Sequence, residues 1–135
     1  MNSQHDEAAG LGAADGLQVG SLEAPDGAVV VWADGDVDLD SSQALRVVLD
    51  TALDLGARAV VVDLARTRFF DSVGLNLLLR FTRRAGRAGV PVHLAALGPQ
   101  VLRIFEITGV DTVLPVHRSV ADALAAASSD RADPA

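Results

Sequence analysis

Phe69-Phe70-Asp71-Ser72-Val73-Gly74-Leu75 sets a serine between an apolar strand or loop segment and the start of an apolar helix. Upstream, Val60-Val61-Val62-Asp63-Leu64 reads as a buried strand, and downstream Leu75 to Arg84 repeats apolar residues at helical spacing. The combination predicts Ser72 at or beside a helix N-cap. Unpaired N–H groups and the positive end of the helix dipole lie there, so the position tolerates added negative charge. Serine is also a favoured cap, and on these residues alone a structural cap is the simpler account of Ser72.

Outward from this stretch, breakers and periodicity divide the chain into alternating elements. Leu17 to Glu23 and Ala28 to Ala33 predict two strands joined as a hairpin across Ala24-Pro25-Asp26-Gly27. A helix is expected from about Ser41 to Leu55, with Leu45, Val48, Leu49 and Ala52 on one stripe, Asp40 and Gln43 as a variant capping box and Gly56 as its stop. A strand over Arg58 to Leu64, a helix over Val73 to Ala88 and a strand over Val90 to Leu97 follow. Gly98-Pro99 opens a short helix through Ile107, Val113 to Val116 is a candidate last strand, and Ser119 to Ala127 is a capped terminal helix. Residues 1–15 and 128–135 are small and polar and are expected to be disordered tails around one domain spanning 16–127. The order predicts an α/β fold: a mixed, mainly parallel sheet with an N-terminal β-hairpin and about four helices.

Composition excludes several function classes. Half of the 135 residues are hydrophobic, enough for a real core, and the net charge of -7 argues against direct nucleic-acid binding, which needs a cationic surface. There is no cysteine, which removes disulfides, thiolate metal sites and cysteine nucleophiles together. All eleven basic residues are arginine, so Schiff-base chemistry and a P-loop phosphate clamp are closed as well. His5, His93 and His117 show no metal-ligand spacing; His5 falls in the N-terminal tail and His93 alternates with apolar strand neighbours, as a structural histidine does. No apolar run reaches the length of a membrane span and no signal region is present, which makes the cytoplasm the expected location. Ser72 also lacks the glycine two residues before it that a nucleophile elbow requires, which weighs against a small α/β enzyme.

Gly35-Asp36-Val37-Asp38-Leu39, Val60-Val61-Val62-Asp63-Leu64 and Phe70-Asp71-Ser72-Val73-Gly74-Leu75 occur in the order and spacing of the STAS domain. The chain resembles an anti-sigma factor antagonist of that family over roughly residues 17 to 127. The resemblance implies a protein that binds an anti-sigma factor and releases a sigma factor. It implies further that the anti-sigma factor is a serine kinase that switches the antagonist off at the residue matching Ser72, and that a metal-dependent serine/threonine phosphatase resets it. The residues expected at the partner interface are Asp36, Asp38, Asp71, Ser72, Val73, Gly74 and Asn76. No catalytic residue, metal ligand or cofactor is expected. Val73 stands where the family often has a small residue and Asn76 where it often has glycine, both in the docking helix, so partner choice is expected to differ from the best-known pairs. Other STAS domains act as adaptors or sensor subunits of larger signalling or transporter-associated complexes, and that is the alternative reading.

Beside the resemblance, Asp36, Asp38, Asp40 and Asp71 are all expected on loops at the carboxyl ends of strands, forming an acidic rim around Ser72. Arg80, Arg83, Arg84 and Arg87 form one basic stripe on the following helix, read either as a solvated face or as a docking contact.

Overall fold

Turn chemistry and β-branched runs place the strands first. In the computed structural model, which describes residues 9–14 and 16–132, β2 (Leu17–Glu23) and β3 (Ala28–Val37) form the expected antiparallel hairpin across Pro25–Gly27, a single 3-10 turn. β4 (Ala59–Asp63) and β5 (Thr67–Phe70) both pair parallel with β3, one after the other along the same strand. β6 (Val92–Ala95) and the two-residue β7 (Val116–His117) extend the sheet in parallel beyond β4. With β1 (Ala9–Ala14) antiparallel on β2, the described residues make a seven-stranded mixed sheet in the order β1-β2-β3-β4-β6-β7, with β5 set against β3.

The period-2 alternation of β4 explains why helices cover both faces. Val60 and Val62 point into the main core with Leu45, Val48 and Leu49 of α1 (Ser42–Asp54) and Leu75, Leu78 and Phe81 of α2 (Ser72–Arg87). Ala59 and Val61 point the other way, where α4 (Val120–Ala132) closes over them with Ala127 and Ala123. The short α3 (Pro99–Thr108) opens with its proline in the first turn, ends on left-handed Gly109 and buries Phe105, whose ring meets Phe70 edge-on at 5.2 Å between centroids.

Several expectations are corrected. Residues 9–14, assigned to a disordered tail, pair as β1, because the outer edge of β2 offers unpaired N–H and C=O groups to any backbone regardless of side-chain pattern. The terminal helix continues through Ser128 and Ser129 to Ala132; its alanines favour helix strongly enough to carry the two serines with them. The remaining tail positions, His5 among them, lie outside the described residues. The last strand sits at Val116–His117 rather than Val113 to Val116, since Val110–Thr112 form a 3-10 turn after Gly109. β5, which Phe69-Phe70 suggest only as a strand or loop segment, is absent from the predicted element order, and β3 continues to Val37, so Asp36 belongs to a strand and not to a loop.

That extension turns on Gly35, where β3 passes from pairing with β4 to pairing with β5. Its φ of +126° is closed to other residues, and an added Cβ would lie 1.9 Å from the carbonyl oxygen of Gly16 on the neighbouring turn. Neither backbone can retreat without breaking the hairpin register. Gly35→Ala is therefore expected to destabilise the protein by about 2 kcal/mol or more, read as a lower denaturation midpoint in urea at unchanged m.

Candidate functional site

The carboxyl ends of β3 and β5 lie side by side, and the chain leaves each of them to enter a helix. At the end of β5, Asp71 adopts extended backbone angles and caps α2, its Oδ1 accepting from the Gly74 N–H at 2.9 Å. Its Oδ2 accepts from the Leu39 N–H, also at 2.9 Å, and its own N–H donates to the Val37 carbonyl. One residue thus ties the start of α2 to the end of β3 and to the loop that follows it.

Ser72 is consequently the first helical residue and not the cap, which corrects the structural account of it given by the sequence. It is exposed, and among the described residues its hydroxyl makes no hydrogen bond. Ser41 and Ser42, the nearest serines on the facing loop, are both buried.

The loop between β3 and α1 is knotted by its own polar groups. Asp38 Oδ1 accepts from the N–H groups of Asp40 and Ser41, each at 3.0 Å. The Ser41 hydroxyl accepts from the Asp38 N–H and donates to the Asp36 carbonyl at 2.6 Å. The capping box expected from Asp40 and Gln43 does not form, because Ser41 occupies the cap position and its hydroxyl is turned back into the loop. Of the acidic rim, Asp36 pairs with Arg68 of β5 at 3.4 Å, Asp38 and Asp71 are committed to backbone, and Asp40 is exposed.

The sequence reading missed the apolar part of this surface. Leu39 is 70% exposed at the loop tip, and Phe69 and Val73, on either side of Asp71-Ser72, are 41% and 39% exposed. Large apolar side chains held out to solvent around one polar residue are what a docking surface shows. The available signal was Leu39, a large apolar residue set between Asp38 and Asp40 just before the start of a helix.

Val73 and Asn76 continue this surface into a groove of about 280 Å3 between α1 and α2, also lined by Arg46, Asp50, Arg80 and Arg84. The basic stripe is thereby divided. Arg84 pairs with Asp50 of α1 and lies over Phe81, 5.7 Å from the ring centroid, Arg80 faces the groove, and Arg83 and Arg87 are exposed. Phe81 itself is buried in the core. Among the described residues no cluster of histidine and carboxylate side chains has metal-binding geometry, and no helix is long and apolar enough to cross a membrane.

Residues 21–115 match the family model described as Mlab, STAS domain. BtrV of Bordetella bronchiseptica, whose name describes an anti-sigma factor antagonist, is 30% identical over 78% of this chain and 91% of its own length. The anti-sigma-F factor antagonist RsfB of Mycobacterium tuberculosis is 27% identical over 83% of this chain and 99% of its own. Among solved structures, an anti-sigma factor antagonist from Mycobacterium paratuberculosis superposes with a TM-score of 0.76 at 30% identity, covering 87% of this chain and 99% of that one.

A glycine just inside the start of α2 suggests close approach of a partner or of a neighbouring backbone, with binding expected to change more than stability. The structure puts the close approach inside the molecule: a Cβ there would lie 2.8 Å from Val37 Cγ1 and 2.9 Å from the Val37 carbonyl oxygen. That carbonyl is held by Asp71, so it has no freedom to give. Gly74→Val is expected to cost about 2 kcal/mol or more through overpacking, outweighing the roughly 1 kcal/mol that removing a helix glycine returns. Asp71→Ala should lose a similar amount, roughly 2 kcal/mol, with its two carboxylate bonds. Urea denaturation of both variants measures these losses.

Proposed function

The chain is a STAS-domain protein of the anti-sigma factor antagonist family, and from that premise we propose that it binds an anti-sigma factor, thereby releasing a sigma factor, and that phosphorylation of Ser72 ends the binding. The observation that carries the proposal is the separation of roles at adjacent residues: Asp71 caps α2, which leaves the Ser72 hydroxyl exposed and uncommitted. The proposed kinase is the anti-sigma factor itself, and the proposed antagonist of that modification is a serine/threonine phosphatase.

Leu39, Phe69 and Val73 supply the apolar contacts, and their burial against the partner drives association. Val73, larger than the small residues frequent at this position, adds to that surface and bears on partner choice. A phosphate at Ser72 would bring about -1.5 to -2 charges into the middle of it. Against one acidic group of a docked partner some 6 Å away, Coulomb's law gives roughly 1 to 5 kcal/mol for effective dielectrics between water and a protein surface. That is one to several decades in affinity. The first-turn N–H groups of α2 and its dipole accommodate the anion, so recognition changes while the fold stays.

With its cognate anti-sigma kinase and ATP, the wild type is expected to gain one phosphate by intact-mass measurement and Ser72→Ala none; equal incorporation into both rejects Ser72 as the site. Ser72→Asp, carrying about half the charge of the phosphate, should keep the wild-type circular dichroism and urea midpoint yet bind the same partner more weakly. Undiminished binding by the folded variant counts against a charge switch.

A further inference from the structure

The groove between α1 and α2 has a charge opposite to that of the chain around it. Arg46, Arg80 and Arg84 line it against the single carboxylate of Asp50, in a chain whose net charge is -7. Asp50 is shared, pairing with Arg84 and, at 4.0 Å, with Arg46. Arg80 is exposed and among the described residues makes no hydrogen bond or ion pair. On the reading that an anti-sigma factor docks around Ser72, on which this inference rests, we propose that the groove receives an acidic side chain of that same partner, held by Arg80 with Arg46 beside it.

Position decides which molecule reaches the groove. Ser72, Asn76 and Arg80 follow one another at four-residue spacing, so they lie along one line of α2 with about 12 Å of helix axis between the first and the last. All three are exposed, and among the described residues their side chains make no hydrogen bond. Val73 and Asn76 belong both to the surface around Ser72 and to the groove, so a partner that covers Leu39, Phe69 and Val73 also stands at its mouth. Size points the same way. At about 280 Å3 the groove falls below the roughly 300 to 1,000 Å3 of small-molecule pockets and suits one or two side chains of a protein surface. Buried Leu49 and Phe81 give it an apolar side, where a carboxylate paired with an arginine fork is held more strongly than in open water.

The sign of the groove also identifies what a phosphate at Ser72 acts on. A partner face selected by Arg80 and Arg46 is acidic, and an acidic face is the one that added negative charge repels. One partner surface is thus attracted at the far end of the line and, after modification, repelled at the near end. The separation of about 12 Å exceeds the Debye length of about 8 Å at physiological ionic strength, so the phosphate leaves the attraction of Arg80 largely in place and the two contacts can be tested apart. Arg83 and Arg87 provide the internal comparison. They carry the same charge on the same helix, are exposed, and do not line the groove.

Titration calorimetry of the full chain against its cognate anti-sigma kinase, without ATP so that Ser72 stays unmodified, tests this. Arg80→Glu should bind about tenfold or more weaker than wild type and Arg80→Gln less weakly than that, while Arg83→Glu, with the same change of charge three positions on, stays within about threefold. Each variant should keep the wild-type circular dichroism and urea midpoint, as substitutions at exposed positions do. Wild-type affinity in Arg80→Glu, or an equal loss in Arg83→Glu, overturns the groove contact and leaves docking around Ser72 standing; a wild type that does not bind overturns both. Should Arg80→Glu not fold, Arg80→Gln and Arg46→Gln carry the same comparison with Arg83→Gln, and undiminished binding by both overturns the contact. Two other occupants have their own signatures in the free chain. Binding of inorganic phosphate that is lost in Arg80→Gln assigns the groove to a small anion, and self-association lost in that variant assigns it to a second copy; either result overturns the proposal.

Discussion

Both oxygens of the Asp71 carboxylate are used within the molecule, and the geometry of the whole strand-end surface depends on that double commitment. One oxygen fixes where α2 begins and the other fixes the backbone of Leu39. Without it the loop after β3 and the first turn of α2 would be joined only through the β3–β5 pairing and the Asp71 N–H bond to the Val37 carbonyl, and each would fray more readily. With it, the exposed Leu39, Phe69, Ser72 and Val73 form one surface of fixed shape. A pre-ordered surface loses less entropy on docking than a mobile one, so under the proposed function Asp71 would favour recognition by ordering that surface. The same holds for Asp38, whose carboxylate closes its own loop.

This reassigns residues that the sequence placed together as an acidic interface. Asp36, Asp38, Asp71, Ser72, Val73, Gly74 and Asn76 do converge on the ends of β3 and β5 and the first turns of α2. Within that set Asp38, Asp71 and Gly74 are fully engaged in building the site, by hydrogen bonds or by absence of volume, and Asp36 pairs with Arg68. Ser72, Val73 and Asn76 are the members turned to solvent. An aspartate in a loop before a helix looks the same in a sequence whether it faces a partner or its own backbone, and only the positions of the neighbouring N–H groups distinguish the two.

Local information made most of the fold legible. The hairpin followed from Pro25 and Gly27, the helices from apolar spacing closed at Gly56 and Gly89, and the buried strand from Val60 to Val62. What escaped was non-local. β1 exists because β2 has a free edge, β5 because β3 continues past β4 at Gly35, and neither reason is written in the residues of the strand concerned. The extreme case is buried His93, whose ring nitrogens each lie 2.9 Å from a partner, His117 Nε2 and Asp130 Oδ2, that stand 24 and 37 positions away. His93 was legible as a strand residue, but its partners depend on where β7 and the last turns of α4 finish, and those were the boundaries misjudged.

The division between Asp71 and Ser72 also bears on how a phosphate could act as a switch without harming the fold. Had Ser72 been the cap, modifying its hydroxyl would have disturbed a bond worth about 1 kcal/mol to α2 and coupled stability to the modification state. Because Asp71 holds that role, an added phosphate displaces no hydrogen bond of Ser72, and the helix dipole returns some 0.3 to 1 kcal/mol against its repulsion from nearby carboxylates. The same charge opposite an acidic group in a docked complex meets a less hydrated setting with no such compensation, and there it costs roughly 1 to 5 kcal/mol. Under the proposed switch, the asymmetry between those two environments would make a single modification selective for binding over folding, and it originates in which of two adjacent residues supplies the cap.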